Sequence, residues 1–152
     1  MAAPILSERE LEFMLYELFD AEGLTERLRY SDHNRETFTM AMNTSRSIAE
    51  KYFLPHRQLL DNCQPTFDGE KVHQPSELKI ALDALFDSGL ATATANFELG
   101  GMQLPGIVAN AVGSYLSAAG GVAIGYTGLT NANANLISAH GTAEQIEKWV
   151  VP

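Results

Sequence analysis

Cysteine and basic residues are both scarce in this sequence. Cys63 is the only cysteine, so no internal disulfide can form, and a reducing cytoplasm is the compartment that we predict. Ten Lys and Arg residues stand against nineteen Asp and Glu residues, for a formal charge of -9. Because nucleic-acid binding depends on clustered basic side chains, we exclude that class of partner. An anionic cofactor is still compatible with this charge, since a few local basic groups or helix amino termini can hold a phosphate.

Sequence motifs for metals and phosphates are also missing. No two histidines or cysteines have the spacing that places two metal ligands on one helix face, so we predict no metal site. The four histidines are His33, His56, His73 and His140. The glycine pair Gly100-Gly101 belongs to neither a dinucleotide-binding fingerprint nor a P-loop. We interpret it as a tight turn that brings the next helix close to a neighbour, with ligand contact as the less favoured alternative.

Helical periodicity dominates the rest of the chain and predicts an all-α fold, a bundle of about six helices. Capping-box patterns predict that the first helix starts at Ser7 and the last one at Thr142. No segment has the alternating pattern of a strand, and residues 62–74 are expected to form a loop with Asp68-Gly69 as its tight turn. The expected helix ends are Gly23, Pro55, Gly89 and Gly141.

The most informative absence is a long run without charge. From Leu99 through Ala143, 45 consecutive residues include no Asp, Glu, Lys or Arg. A helix that lacks a charged face is either buried on several sides or lies in a membrane. A membrane span needs about 18 or more consecutive apolar residues, and glycines and asparagines interrupt this run. We therefore predict no membrane span.

The two helices that flank Gly120-Gly121 should then be central and need protein on several sides. The other predicted helices can hardly supply that much cover, so we expect something further to pack against them. The partner would be more of the same polypeptide, another subunit, or both. An end at Pro152, directly after a capped helix, favours more of the same polypeptide.

Two motifs occur in an order and separation that resemble one known family. Residues 139–152 are similar to the Gly-Thr/Ser-x-x-Gln-x-x-x-aromatic-x-x-Pro signature that closes the helical domain of the acyl-CoA dehydrogenases. Residues 97–102 resemble the Gly-Gly turn before the central helices of that family. Residues 7–30, 67–72 and 100–105 more narrowly resemble its 3-methylmercaptopropionyl-CoA dehydrogenase branch. The resemblance covers essentially the whole chain, but only the first third or less of such an enzyme.

The resemblance implies an amino-terminal helical extension over residues 1–30 and the family's amino-terminal helical domain over residues 31–152. A middle β-domain and a carboxyl-terminal helical domain would lie outside this chain. It also implies FAD, an acyl-CoA substrate, an electron-transfer protein as acceptor, and a homo-oligomer. In that family a glutamate removes the α-proton while the β-hydride passes to the flavin, and both the glutamate and most FAD contacts belong to the other domains. We therefore assign no catalytic or cofactor-binding residue here and expect this segment alone to be inactive.

For this chain the resemblance implies one wall of the acyl pocket. Counting back without gaps from Gly141 gives the wall positions Ile124, Gly125, Gly128, Leu129 and Ala132. Gly128 stands where some relatives have a larger or charged group, which leaves the depth of the pocket and the acyl length open. Close packing of another helix would use the same small residues.

A second hypothesis from another class is kept beside the first. The chain could be a stand-alone helical interaction module that docks a partner through its charge-free helices. The coding sequence downstream of Pro152 separates the two hypotheses. A stop codon there favours the module, and a β-rich segment followed by a second helical bundle favours the enzyme.

Overall fold

A computed structural model describes residues 5–151, without the side chain of Val122. Within that part, two short strands, β1 (Thr66–Phe67) and β2 (Val72–His73), pair in an antiparallel hairpin. The helices are α1 (Glu8–Glu12), α2 (Arg35–Ile48), α3 (Arg57–Asn62), α4 (Ser76–Asp87), α5 (Gly106–Gly120), α6 (Gly125–His140) and α7 (Ala143–Trp149). The all-α prediction is confirmed, because the only strands in the described part are two residues long.

Several predicted helix boundaries are confirmed by their capping groups. The Ser7 hydroxyl accepts a hydrogen bond from the Glu10 amide at 3.3 Å and starts α1. At the start of α7, Thr142 and Gln145 satisfy each other's backbone amides, as a capping box requires. Gly89 follows α4 in the left-handed conformation with φ of 74°, which glycine adopts without steric cost.

The predicted end of the first helix at Gly23 is wrong. The chain leaves α1 as a π-helical turn, Phe13–Leu18, and the helix ends before Asp20. Asp20 itself has φ of 46°, and its carboxylate accepts the Gly23 amide at 3.3 Å. A short polar side chain that bonds the following backbone can end a helix as well as a glycine can, so the stop comes earlier than the glycine.

The predicted end of the second helix at Pro55 is also wrong. A π-helical turn, Ala49–Phe53, and a 3₁₀ turn, Leu54–His56, connect α2 directly to α3. Proline lacks an amide hydrogen. In the first turn of a new helical segment an amide hydrogen would have no intrahelical acceptor, so proline loses no hydrogen bond there. The helical path therefore continues past Pro55 with a change of direction.

Helix α5 lies at the centre of the fold and packs along α2. Ser45 of α2 is fully buried and donates a hydrogen bond to the Val112 carbonyl at 2.7 Å. A Cβ atom at Gly120 would come within 2.9 Å of Phe53, so the glycine permits close packing there. The buried residues of α5 are Val108, Ala111, Val112, Tyr115, Leu116, Ala119 and Gly120.

The amino-terminal segment, residues 5–30, packs against α2. Leu11 and Leu15 of this segment are buried. Two ion pairs tie it to α2: Arg46 to Glu8 at 2.8 Å and Arg35 to Glu22 at 3.3 Å. Exposed ion pairs contribute only about 0–1 kcal/mol each, so apolar burial supplies most of this attachment.

Helix α6 lies at the edge of the described part. Thr127 is its one buried residue, and the Asn131 side-chain amide donates to the Ala91 carbonyl at 2.7 Å. Leu129 is 78% exposed and Leu136 59% exposed. Within residues 5–151, α5 is therefore central as predicted, whereas α6 lacks cover there. That something further packs against α6 stays a prediction. No helix in that range has the length and apolar character needed to cross a membrane.

Candidate functional site

Four of the five predicted wall positions lie on the outward face of α6. At about 100° per residue, positions 125, 128, 129 and 132 fall within an arc of about 100°. Ile124 is half-buried at the start of the helix, and the other four residues are exposed. The structure therefore places four of the five on one continuous uncharged surface over two helical turns, whereas Ile124 packs against the core.

The two glycines of this face, Gly125 and Gly128, have open space in front of them. A Cβ atom at either position would meet no atom within 4 Å. Packing inside the described part therefore does not require glycine at these positions, in contrast to Gly120. Gly121 is different again, because its φ of 53° favours glycine whatever the space.

A cavity of about 490 Å³ borders this face on one side. It lies between α6, the end of α3, the start of α4 and the segment that carries the hairpin. Gly125 and Leu129 are the two wall positions that also line the cavity. The remaining lining residues are Leu60, Asp61, Cys63, Gln64, Pro65, Gln74, Pro75, Leu78, Ala123 and Tyr126.

A hydrogen bond holds the hairpin segment against α6. The Gln74 side-chain amide donates to the Tyr126 hydroxyl at 2.6 Å. Sequence analysis assigned no chemistry to residues 62–74, because nothing in a polar loop shows that it folds back on a helix fifty residues later. The cavity is thus the main feature that sequence reasoning missed.

The hairpin turn is organised by one carboxylate, Asp68. It accepts hydrogen bonds from the Glu70 and Lys71 amides at 2.8 Å and pairs with the His73 ring at 2.5 Å. The bond to His73 and those backbone amides lower the pKa of Asp68 from 3.8 to about 2. The predicted Asp68-Gly69 turn is confirmed, with Gly69 at φ of 105°.

The other wall positions lie away from this cavity. Ile124 lines a smaller cavity of about 200 Å³ between α5 and α6, together with residues such as Gly113 and Thr127. Gly128 and Ala132 stand on the open face between the two cavities. The structure therefore places four of the five residues on one surface and the fifth, Ile124, between α5 and α6.

The Gly100-Gly101 turn is a packing element, as predicted. Gly100 has φ of 78°, and a Cβ atom at Gly101 would lie 2.1 Å from the Ala95 carbonyl oxygen. His33 helps to hold this turn, since its Nε2 lies 2.8 Å from the Met102 carbonyl oxygen. The sequence offered no signal for this contact between residues far apart in the chain.

Clusters of metal ligands and cavities lined by basic side chains are both absent from the described residues. Within residues 5–151, no three His, Cys, Asp or Glu side chains come close enough to hold a metal ion. None of the cavities described here is lined by Lys or Arg. A dinucleotide such as FAD needs cationic groups or helix amino termini for its pyrophosphate. The first turns of α4 and α6 border the 490 Å³ cavity, but no Lys or Arg lines it.

Comparison with known proteins identifies the fold's family. The model of the family described as "Acyl-CoA dehydrogenase, N-terminal domain" matches residues 35–152, more than three quarters of the chain. The match starts at the first residue of α2 and takes in the whole of α5, α6 and α7. No curated protein sequence matches the chain. The chain belongs to the acyl-CoA dehydrogenase family, through that family's amino-terminal helical domain.

Proposed function

We propose that this chain is the amino-terminal part of an FAD-dependent acyl-CoA dehydrogenase, and that the outward face of α6 forms one wall of its acyl pocket. The family match over residues 35–152 carries the proposal. The reaction would remove the α-proton and the β-hydride of an acyl-CoA thioester to give a 2,3-enoyl-CoA. FAD, when bound, supplies the hydride acceptor, and its contacts would lie mostly outside residues 5–151.

The surface properties of α6 support the wall assignment. The face is exposed, uncharged and lined by small or apolar residues, with Gly125 and Gly128 leaving room for another group to approach. Burial of an acyl chain against this face would contribute about 0.8 kcal/mol of binding free energy per methylene group. The same burial keeps water away from the reacting carbons, which proton abstraction by a carboxylate requires.

The narrower parts of the proposal follow from the family. An electron-transfer protein would reoxidise the flavin, and the protein would form a homo-oligomer. The cytoplasmic location rests instead on the single cysteine. The division into residues 1–30 and 31–152 also stays a prediction. Among substrates, 3-methylmercaptopropionyl-CoA remains a candidate on the sequence resemblance alone.

Replacement of Gly128 by leucine in the complete protein tests the wall. We expect G128L to reduce kcat/KM for acyl-CoA at least tenfold in a dye-reduction assay, because the new side chain occupies the space of the acyl group. Gly106→Leu is the matched control. Gly106 also has open space around its Cβ position, but it starts α5 and lies outside the wall.

Equal activity of wild type, G128L and G106L would show that α6 does not line the acyl pocket. A complete protein that lacks bound flavin, and whose spectrum no thioester changes, would contradict the dehydrogenase itself. That second result would support the hypothesis of a stand-alone interaction module, which the family match does not favour.

A further inference from the structure

We infer that two side chains on the flanks of α6, Asn131 and Tyr126, are positioning residues that fix the rotation of the helix about its own axis. They would thereby set the direction in which the wall faces. The inference rests on the proposed function and extends it. Neither residue is one of the predicted wall positions, and each would act on the substrate only through the residues that are.

Apolar burial does little to hold α6 in one orientation. Thr127 is its one buried residue within the described part of the chain, and the Thr127 hydroxyl donates within the same helical turn, to the Ile124 carbonyl at 2.9 Å. Hydrophobic burial is non-directional, whereas a hydrogen bond needs its donor and acceptor within a narrow range of distance and angle. Side-chain hydrogen bonds to other elements are therefore the contacts that can fix the rotation of α6.

Two such bonds hold α6 from opposite sides. The Asn131 side-chain amide donates to the Ala91 carbonyl at 2.7 Å, in the 3₁₀ turn Leu90–Thr92. On the other side, the Gln74 side-chain amide donates to the Tyr126 hydroxyl at 2.6 Å. At about 100° per residue, Asn131 and Tyr126 each lie about 110° from the middle of the outward face, one on either side. Rotation of α6 in either direction would stretch these bonds.

A small rotation would displace the outward face by a distance that matters for the reaction. An α-helix with its side chains has a radius of roughly 5–6 Å, so a rotation of about 20° moves that surface by about 2 Å. Misplacement of a reacting group by about 1 Å can lower a rate on the order of a hundredfold. The two hydrogen bonds would therefore control the alignment of acyl carbons that lie on this face.

The bond made by Asn131 should matter more than the bond to Tyr126. Asn131 is half-buried and lies one helical turn after the buried Thr127, so water competes less for its amide. Tyr126 is 47% exposed, and Gln74 is exposed as well. Water can therefore replace much of the second bond when it is lost.

The isosteric substitution Asn131→Asp in the complete protein tests the inference. The new carboxylate can only accept hydrogen bonds, so it places no donor before the Ala91 carbonyl. With the best substrate among butyryl-CoA, octanoyl-CoA and palmitoyl-CoA, we expect N131D to lower kcat at least tenfold and to change KM less than threefold. Expressing kcat per bound flavin removes the loss of folded protein that a merely structural role would produce. Asn135→Asp is the matched control, because Asn135 is exposed one turn further along α6.

Tyr126→Phe tests the other flank. Because its bond is exposed, we expect Y126F to slow reduction of the bound flavin by only twofold to threefold in stopped-flow measurements. Combined with N131D, the loss should exceed the product of the two single losses, since either bond alone still limits the rotation of α6. A double variant no slower than N131D would contradict a shared role.

The outcomes separate the inference from the function beneath it. Wild-type kcat in N131D, together with a loss of activity in G128L, would overturn the inference and leave the wall in place. Equal losses in N131D and N135D would also overturn it, because the added charge would then be the cause. Failure of every thioester to reduce the flavin would overturn both the inference and the proposed function.

Discussion

Helices α5 and α6 are neighbours in the chain, similar in length and equally free of charge, yet their surroundings differ. Seven residues of α5 are buried, whereas Thr127 is the one buried residue of α6. The same compositional signal thus has two meanings. In α5 it indicates the core of this domain. In α6 it accompanies a surface that is exposed within residues 5–151.

Truncation of one leucine in each helix gives the largest expected contrast. Leu116 in α5 is 5% exposed, and Leu136 in α6 is 59% exposed. Leu116→Ala should lower the free energy of unfolding of this chain by about 2–5 kcal/mol, because it leaves a cavity in the core. Leu136→Ala should change it by no more than about 0.5 kcal/mol. Urea denaturation of both variants measures the difference, and similar losses would mean that α6 is as central as α5.

Addition of one methyl group to a glycine in each helix should change stability in opposite directions. Gly120→Ala should cost about 1–3 kcal/mol, since its Cβ atom would lie 2.9 Å from Phe53 and Ile124. Gly128→Ala should add about 0.5–1 kcal/mol, because alanine favours the helix and nothing opposes its side chain.

Gly113→Ala, also inside α5 but with open space, is the control for helix propensity alone. Thermal unfolding of the three variants gives the comparison. A loss of stability in G128A would show that α6 packs more closely than its surroundings indicate.

Removal of one hydroxyl group compares the polar contacts of the two helices. Ser45 donates to the Val112 carbonyl of α5 from a fully buried position, so Ser45→Ala should cost about 1 kcal/mol. In α6, Ser138 donates to the Ala134 carbonyl one turn earlier, a local bond with little net effect on a helix. Ser138→Ala should therefore unfold at nearly the same urea concentration as the wild type. The reverse order would contradict the central position of α5.

The smallest expected effect is a pH dependence of the hairpin turn beside α6. Because the pKa of Asp68 is lowered to about 2 in the folded chain, its carboxylate stabilises the turn above its usual pKa of 3.8. That contribution disappears as the pH falls from about 4 to about 2. Amide resonances of Glu70 and Lys71 in NMR spectra should shift over that range in the wild type and not in Asp68→Asn. A midpoint near the usual pKa would contradict the hydrogen bonds around Asp68.

Much of the local structure could be predicted from the sequence, because its signals act over a few residues. The capping box at Thr142 and the left-handed Gly89 were both anticipated. The errors at Gly23 and Pro55 arose where a local signal had a competitor: the Asp20 carboxylate ended one helix early, and a new helical turn accommodated the proline. Helical spacing and the family resemblance placed most of the wall positions on one face of α6, and the part of that face in an acyl pocket stays a prediction.

The sequence by itself determined the all-α class, most helix boundaries and the absence of charge along α5 and α6, since these depend on periodicity and capping over a few turns. Only the tertiary structure decided that α5 is enclosed, that α6 stays open, and that the hairpin segment meets α6 through Gln74 and Tyr126 to form a cavity. Burial and cavities arise from contacts between residues far apart in the chain, and no local pattern encodes which of two similar helices the rest of the fold will surround.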